Sequence, residues 1–278
     1  MSRSLLLLLC FGLLAAGISS ARDRKLQRVK TGAAIKTNKM KVEIWSDVMC
    51  PFCYIGKRKF EAALAQFPDT AQLQVEWKSF QLDPNIQAGQ EKDLYGYLAR
   101  RKGISQEQAR QMHGQVVAMA KAVGLEYDFD KAVVANSYDA HRLIQLAKQN
   151  QLGDAAEEQL FRAYFTEGKD FGDHQVLQQL GEQIGLDARQ LRNLLASDEL
   201  GDKVKADVAE AEQLGVNGVP FFVFDRKYAV SGAQDPTVFL QTLQRSFAEW
   251  QEQHKAQPLQ VQNGASDGAA CSPGGDCN

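Results

Sequence analysis

The sequence holds five cysteines, and two of them, Cys50 and Cys53, stand three positions apart in SDVMCPFCY (46–54). A pair at that spacing can close a local disulfide, supply half of a metal site, or exchange electrons as a dithiol. Exchange needs one thiol held as the nucleophilic thiolate and a second within reach to resolve the mixed disulfide. Pro51 follows Cys50, and proline suits the first turn of a helix, where its missing N–H would go unpaired anyway. Cys50 would then be the helix N-cap, where free backbone N–H groups and the positive end of the macrodipole favour an anion. Such sites lower a cysteine pKa from about 8.5 into the range of about 3.5–7.5. Cys53 lies one turn on and shares a helical face with Phe60 and Leu64. The pattern therefore predicts an exposed attacking thiol at Cys50 and a shielded resolving thiol at Cys53.

A zinc site would need CSPGGDC (271–277) as its other half, yet five residues separate Cys271 from Cys277, wider spacing than zinc knuckles use. That tail pair could instead form its own disulfide across Gly274 and Gly275 and pass electrons to Cys50 or Cys53. A CxxC that follows a strand and opens a helix is itself a strong redox signal.

The elements that must position the pair are legible. KVEIWSD (41–47) is short and β-prone, with Val42 and Ile44 alternating, and the pattern turns helical from Pro51 to Phe67. LQVEWKSF (73–80) reads as a second strand, which completes a βαβ unit. A helical middle follows from about 91 to 215, with Ala140, Leu143, Ile144 and Ala147 on one face of its stretch 137–149. VPFFVFD (219–225) and KYAVSG (227–232) predict two strands around a tight turn at Asp225-Arg226, and a last helix runs from Pro236 to Gln251. The order βαβ, helical insert, ββα is an α/β fold: a thioredoxin-like core interrupted by an all-helical domain. Residues 251–278 predict a flexible tail, poor in groups that can be buried.

The first 21 residues read as a secretory signal peptide, with basic Arg3, an apolar run from Leu5 to Ile18 and small residues at Ser19 and Ala21. Its removal leaves four cysteines, an even number suited to an oxidising compartment. The expected location is secreted or periplasmic. Against it, RDRKLQRVK (22–30), in a polar linker spanning 22–39, carries five basic residues and one acid, the reverse of the usual charge bias. Met40 opens MKVEIW and would give a cytoplasmic start. The formal net charge is −2, with no later basic block, so nucleic acid is not an expected partner. No later apolar run is long enough to span a membrane.

Several separated blocks occur in one order: WSDVMCPFCYIGKRKF (45–60), EWKSFQLDP (76–84), NSYDAHRLIQLA (136–147), LFRAYFTEGKDFGD (160–173) and GVNGVPFFVFDRKYAVSGAQ (215–234). On these, the chain from Met40 to about Trp250 resembles the DsbA-like thioredoxin family, and within it the FrnE-like branch. The resemblance implies a domain over 40–250, a cis bond at Val219-Pro220 beside the cysteines, and a Val219 backbone that docks an extended substrate by strand addition. It also implies proteins or thiols with disulfides as substrates, a separate redox partner, no bound metal and no cofactor, with glutathione as a candidate reductant. Strongly oxidising members carry His at the position of Phe52. Phe52 cannot support a Cys50 thiolate, so the expected potential falls between those of DsbA and thioredoxin, about −120 and −270 mV.

Two other readings stay open. A related branch, similar to kappa-class glutathione transferases and 2-hydroxychromene-2-carboxylate isomerases, has Ser where Cys50 stands and acts on small molecules with glutathione. A non-enzymatic metal-binding or chaperone-like module would use the four cysteines structurally. Asn136, His141 and Arg142 could border the cleft, though packing explains such residues more simply. His113 and His174 have no partners at metal-ligand spacing, Asp47 reads as a helix cap, and Trp45 and Trp77 read as core aromatics.

Overall fold

The computed structural model describes residues 39–87 and 93–255. The expected signal peptide, nearly all of the linker and the Cys271–Cys277 pair lie outside them.

Strand β1 (Met40–Ser46) is the centre of the molecule. It pairs in parallel with β2 (Leu73–Ser79) on one side and antiparallel with β3 (Phe221–Phe224) on the other, and β3 pairs antiparallel with β4 (Tyr228–Ser231). The sheet order is β2-β1-β3-β4. The register places Ile44 opposite both Trp77 and Phe222. The simple alternation expected of β1 fails, because every residue but Lys41 is buried. Helices cover both faces of the sheet, as they cover most parallel strands. Met40, Val42 and Ile44 face Phe60 of α1 (Pro51–Leu64) and Phe239, Leu243 and Phe247 of α9 (Pro236–Gln253). Trp45 faces the opposite way, against Ala211 and Val216, and donates its indole N–H to the Asp207 carbonyl at 2.9 Å.

The β3–β4 hairpin turns where expected. Asp225 and Arg226 have φ of 49° and 54°, and two successive left-handed residues match the right-handed twist of the flanking strands. Helix α9 starts at the predicted Pro236, capped by Asp235, and runs two residues past the expected Gln251.

Between β2 and β3 the chain forms seven helices among the described residues: α2 (Leu94–Lys102), α3 (Gln106–Lys121), α4 (Tyr138–Gln149), α5 (Gly153–Phe165), α6 (His174–Gln183), α7 (Ala188–Leu195) and α8 (Gly201–Gln213). The apolar faces of α2 to α7 share one core with Cys50, Cys53, Tyr54 and Ile55 of the α1 region, while Ala211 of α8 packs against Trp45. The expectation of a single apolar face on α4 is too narrow. Every residue from Ala140 to Leu146 is buried, and Arg142 and Gln145 have protein partners instead of water. Gln145 donates to Asp207 at 2.7 Å and to the Ser79 hydroxyl at 3.1 Å, while the Arg142 guanidinium binds the Glu199 and Ser197 carbonyls and the Asp139 carboxylate. Buried polar groups persist when hydrogen-bonded in this way.

Candidate active site at the start of helix α1

The turn between β1 and α1 delivers the cysteines. The Cys50 N–H donates to the Asp47 carbonyl at 2.9 Å, and the Asp47 carboxylate accepts from the N–H groups of Met49 at 3.3 Å and Leu82 at 2.6 Å. Asp47 is therefore not the helix cap that its position suggested; it ties the turn to the chain leaving β2. Cys50 itself is the N-cap, with extended φ and ψ of −88° and 110°, and Pro51 opens the helix as predicted. The Cys53 N–H closes the first turn on the Cys50 carbonyl at 3.0 Å. Both cysteines are free thiols.

Their environments differ from the expectation in one respect. Cys53 is 0 % exposed, as predicted, but Cys50 is only 4 % exposed rather than open to solvent. Residues far along the chain provide the cover. The Val219 carbonyl accepts from the Cys50 thiol at 3.4 Å, and the Tyr127 hydroxyl reaches the Pro51 carbonyl at 2.7 Å. Phe52 stands outward at 38 % exposure. Burial pushes the Cys53 thiol well above its ordinary pKa, and the hydrogen bond and charge of Cys50 push the same way; the Asp47 backbone N–H and the Ser46 hydroxyl oppose them.

The Val219-Pro220 bond is cis. Pro220 packs so closely on α1 that a Cβ on Gly56 would stand 2.9 Å from its Cγ, so this face of the helix needs glycine there. The Gly232 N–H holds the Pro220 carbonyl at 2.8 Å, which anchors the loop to the end of β4.

Beside Cys50 a cavity of about 420 Å³ opens between the start of α1 and the helical insert, lined among others by Cys50, Phe52, Val219, His113, Phe129 and Phe165. His113 stacks on Phe129 with centroids 4.1 Å apart; burial, with Lys102 nearby, lowers its pKa to about 4 and leaves it neutral at pH 7. The other candidates lie elsewhere. Asn136 braces the loop after β2 through the Pro84 and Ile86 carbonyls, Arg142 holds the end of α7, and His174 pairs with Asp139 at 2.8 Å. His141 is fully buried beneath the site, 3.5 Å from Asp47. Trp45 and Trp77 are core residues, as read. Among the described residues no group of three or more His, Cys, Asp or Glu side chains could hold a metal ion, and no helix is long and apolar enough to cross a membrane.

Sequence reasoning missed Ser46 and Glu157, both buried below Cys53. Glu157 shares a helix face with Leu160, Phe161 and Tyr164, at offsets of three, four and seven. A carboxylate on an apolar stripe was the available signal, masked by the adjacent Glu158, which faces Arg58.

Comparisons agree with this geometry. A crystal structure of a probable DsbA oxidoreductase from Streptomyces coelicolor is similar at 38 % identity with a TM-score of 0.72, covering 86 % of this chain and 98 % of that one. The uncharacterized protein YwbO of Bacillus subtilis is 26 % identical over 202 residues, 71 % of this chain and 92 % of its own. The cytosolic disulfide reductase DsbM of Pseudomonas aeruginosa shares the fold at 18 % identity and a TM-score of 0.55, covering 75 % of this chain and 99 % of that one. The profile of the DSBA-like thioredoxin domain matches residues 41–244, and the chain belongs to that family.

Proposed function

We propose that the protein is a thiol–disulfide oxidoreductase working as an oxidase or isomerase, with Cys50 as the attacking thiol and Cys53 as the resolving one. One observation carries the reading: the Val219 carbonyl, in the loop before β3, lies 3.4 Å from the Cys50 sulfur, one helical turn from Cys53. In the reducing direction, the Cys50 thiolate attacks a substrate disulfide, forms a mixed disulfide and releases one substrate thiolate. Cys53 then loses its proton and attacks the Cys50 sulfur; the Cys50–Cys53 disulfide forms and the second substrate thiolate leaves. Oxidation runs the same steps backwards. The dithiol is itself the redox centre, and glutathione serves as a reductant. Pro51 sets the helix start, and the Val219 backbone docks an extended substrate segment.

The apolar cavity beside Cys50 favours a second reading, a glutathione-dependent isomerase or transferase acting on a small molecule. Cys53→Ser separates the two. Dithiol exchange collapses into trapped mixed disulfides on Cys50, visible by intact mass, whereas turnover that needs Cys50 alone survives. Full activity of Cys53→Ser would refute the dithiol reading. The redox potential reports the compartment: an exported oxidase sits above about −230 mV, and a cytosolic reductase starting at Met40 near −270 mV or below.

A further inference from the structure

The cavity beside Cys50 carries a charge that the exchange chemistry above does not use. Its volume of about 420 Å³ lies at the small end of the range for ligand pockets, about 300–1,000 Å³. Leu98 of α2, Val116 of α3, Phe129 and Phe165 give it apolar walls, and no acidic side chain among the described residues lines it. Three basic side chains do: Arg101, Lys102 and His113. Arg101 is already occupied, because its guanidinium binds the Asp83 carboxylate and the Leu82 carbonyl. His113 is neutral at pH 7, chiefly through burial. Lys102, the last residue of α2, forms no ion pair among the described residues. One positive charge is therefore left without a counterion. Cys50 lines the same space, whereas Cys53 is 0 % exposed and does not.

We propose that this cavity admits a small dithiol, or its cyclic disulfide, on a short aliphatic chain that ends in a carboxylate, and that this molecule is a non-protein redox partner of Cys50 and Cys53. The chain lies against the apolar walls, the carboxylate pairs with Lys102 and the sulfurs reach Cys50. One ligand thiol loses its proton and attacks the Cys50 sulfur of the oxidised protein. The Cys50–Cys53 bond breaks, and Cys53 leaves with the electron pair and takes up a proton. The second ligand thiol then loses its proton and attacks the ligand sulfur of the mixed disulfide. The ligand ring closes, and Cys50 leaves and takes up the second proton. Two electrons and two protons have passed from the ligand to the protein pair. The reverse sequence opens the ring and oxidises the protein.

Glutathione, the reductant named above, can react by collision, but this cavity suits it poorly. It carries two carboxylates, an ammonium and two peptide groups, and apolar walls would leave most of them without hydrogen-bond partners. A single charge on an apolar chain matches the lining instead. Met49 and Met112 add unbranched, polarisable side chains that can follow the outline of a flexible aliphatic ligand and make favourable contacts with its sulfurs.

The inference rests on the dithiol reading, and one experiment separates their failures. The full chain with Cys10, Cys271 and Cys277 replaced by Ser is oxidised and mixed with dihydrolipoate, its neutral amide dihydrolipoamide, dithiothreitol or glutathione. Reduction of the Cys50–Cys53 disulfide is followed by alkylation and intact mass. The rate with dihydrolipoate should saturate, while the rates with dithiothreitol and glutathione rise linearly over the same range. At low salt the carboxylate should bind about fivefold more tightly than the amide, the ratio that an exposed ion pair of about 1 kcal/mol gives. Lys102→Met should erase that ratio. Linear kinetics with dihydrolipoate, tighter saturation by glutathione, or a ratio that Lys102→Met leaves unchanged overturns the proposal. A Cys50–Cys53 pair that forms no disulfide, or one that even dithiothreitol does not reduce, overturns the dithiol reading itself. If Lys102→Met fails to fold, saturation and the fivefold ratio in the parent decide alone.

Discussion

Replacing Glu157 by Gln should stabilise the protein, and by an amount that depends on pH. The carboxyl has a pKa of about 7 in the folded chain against an ordinary value of 4.5, because burial penalises its charged form. A folded pKa above the unfolded one gives a contribution that is fully present below about pH 4.5 and is lost as pH rises through about 7. The gap of 2.5 pH units, at about 1.36 kcal/mol each, is about 3 kcal/mol. At pH 5 the loss is only about 1 kcal/mol, since the folded carboxyl is still protonated there and the unfolded one is partly ionised. Gln does not titrate, so its advantage should grow from about 1 to about 3 kcal/mol between pH 5 and pH 8. Any cost of the amide's extra N–H groups is a constant offset, and the change with pH is the quantity to read. Urea unfolding followed by tryptophan fluorescence measures it; with a slope of about 2–3 kcal/mol per molar, the midpoint difference between variant and parent should widen by nearly 1 M over that range. A difference that stays the same at both pH values, or that narrows as pH rises, would refute the assignment of a neutral, buried carboxyl to Glu157.

Gly56→Ala puts a methyl group 2.9 Å from Pro220 Cγ; overpacking should cost about 1–3 kcal/mol in thermal or urea unfolding. It should also slow exchange by displacing the Val219 carbonyl from Cys50, so a variant with full stability and full rate would contradict the interlock. Phe52→His places an imidazole at the exposed position between the cysteines. Protonated, it stabilises a Cys50 thiolate by about 1–4 kcal/mol, which raises the redox potential by about 20–80 mV in glutathione buffers. The increase should shrink above the His pKa, and a more negative potential would show that the imidazole does not act on the reduced form.

The local part of the site was legible in the sequence: Pro51 after Cys50 marks the helix start, and the strand before it fixes where that start lies. The Asp225-Arg226 turn was equally plain, since strand patterns flank it closely. What escaped depends on contacts between distant segments. Cys50 reads as exposed because nothing near it in sequence covers it; the Val219 carbonyl does. Asp47 has the spacing of a cap, yet its carboxylate goes to Leu82, a partner that exists only once β2 lies beside β1. On α4, His141 and Arg142 look like the solvated side of an amphipathic helix. They are buried because the surrounding elements enclose α4: His141 lies against Asp47, and the Glu199 carbonyl takes the place of water for Arg142.

The insertion of seven helices between β2 and β3 also sets the order in which the site is made. Cys50 and the carbonyl that covers it are 169 residues apart. At about 5–20 residues per second, a ribosome takes about 10–30 s to travel between them. Through that interval a nascent chain carries the dithiol at the start of an uncovered helix, before β3, Pro220 or most of the insert exists. A bare thiol at that stage is open to capture by other cysteines. This sequence has none between Cys53 and Cys271. Besides each other, the growing chain offers these two cysteines only Cys10, upstream of them, until the segment that shields them has been synthesised.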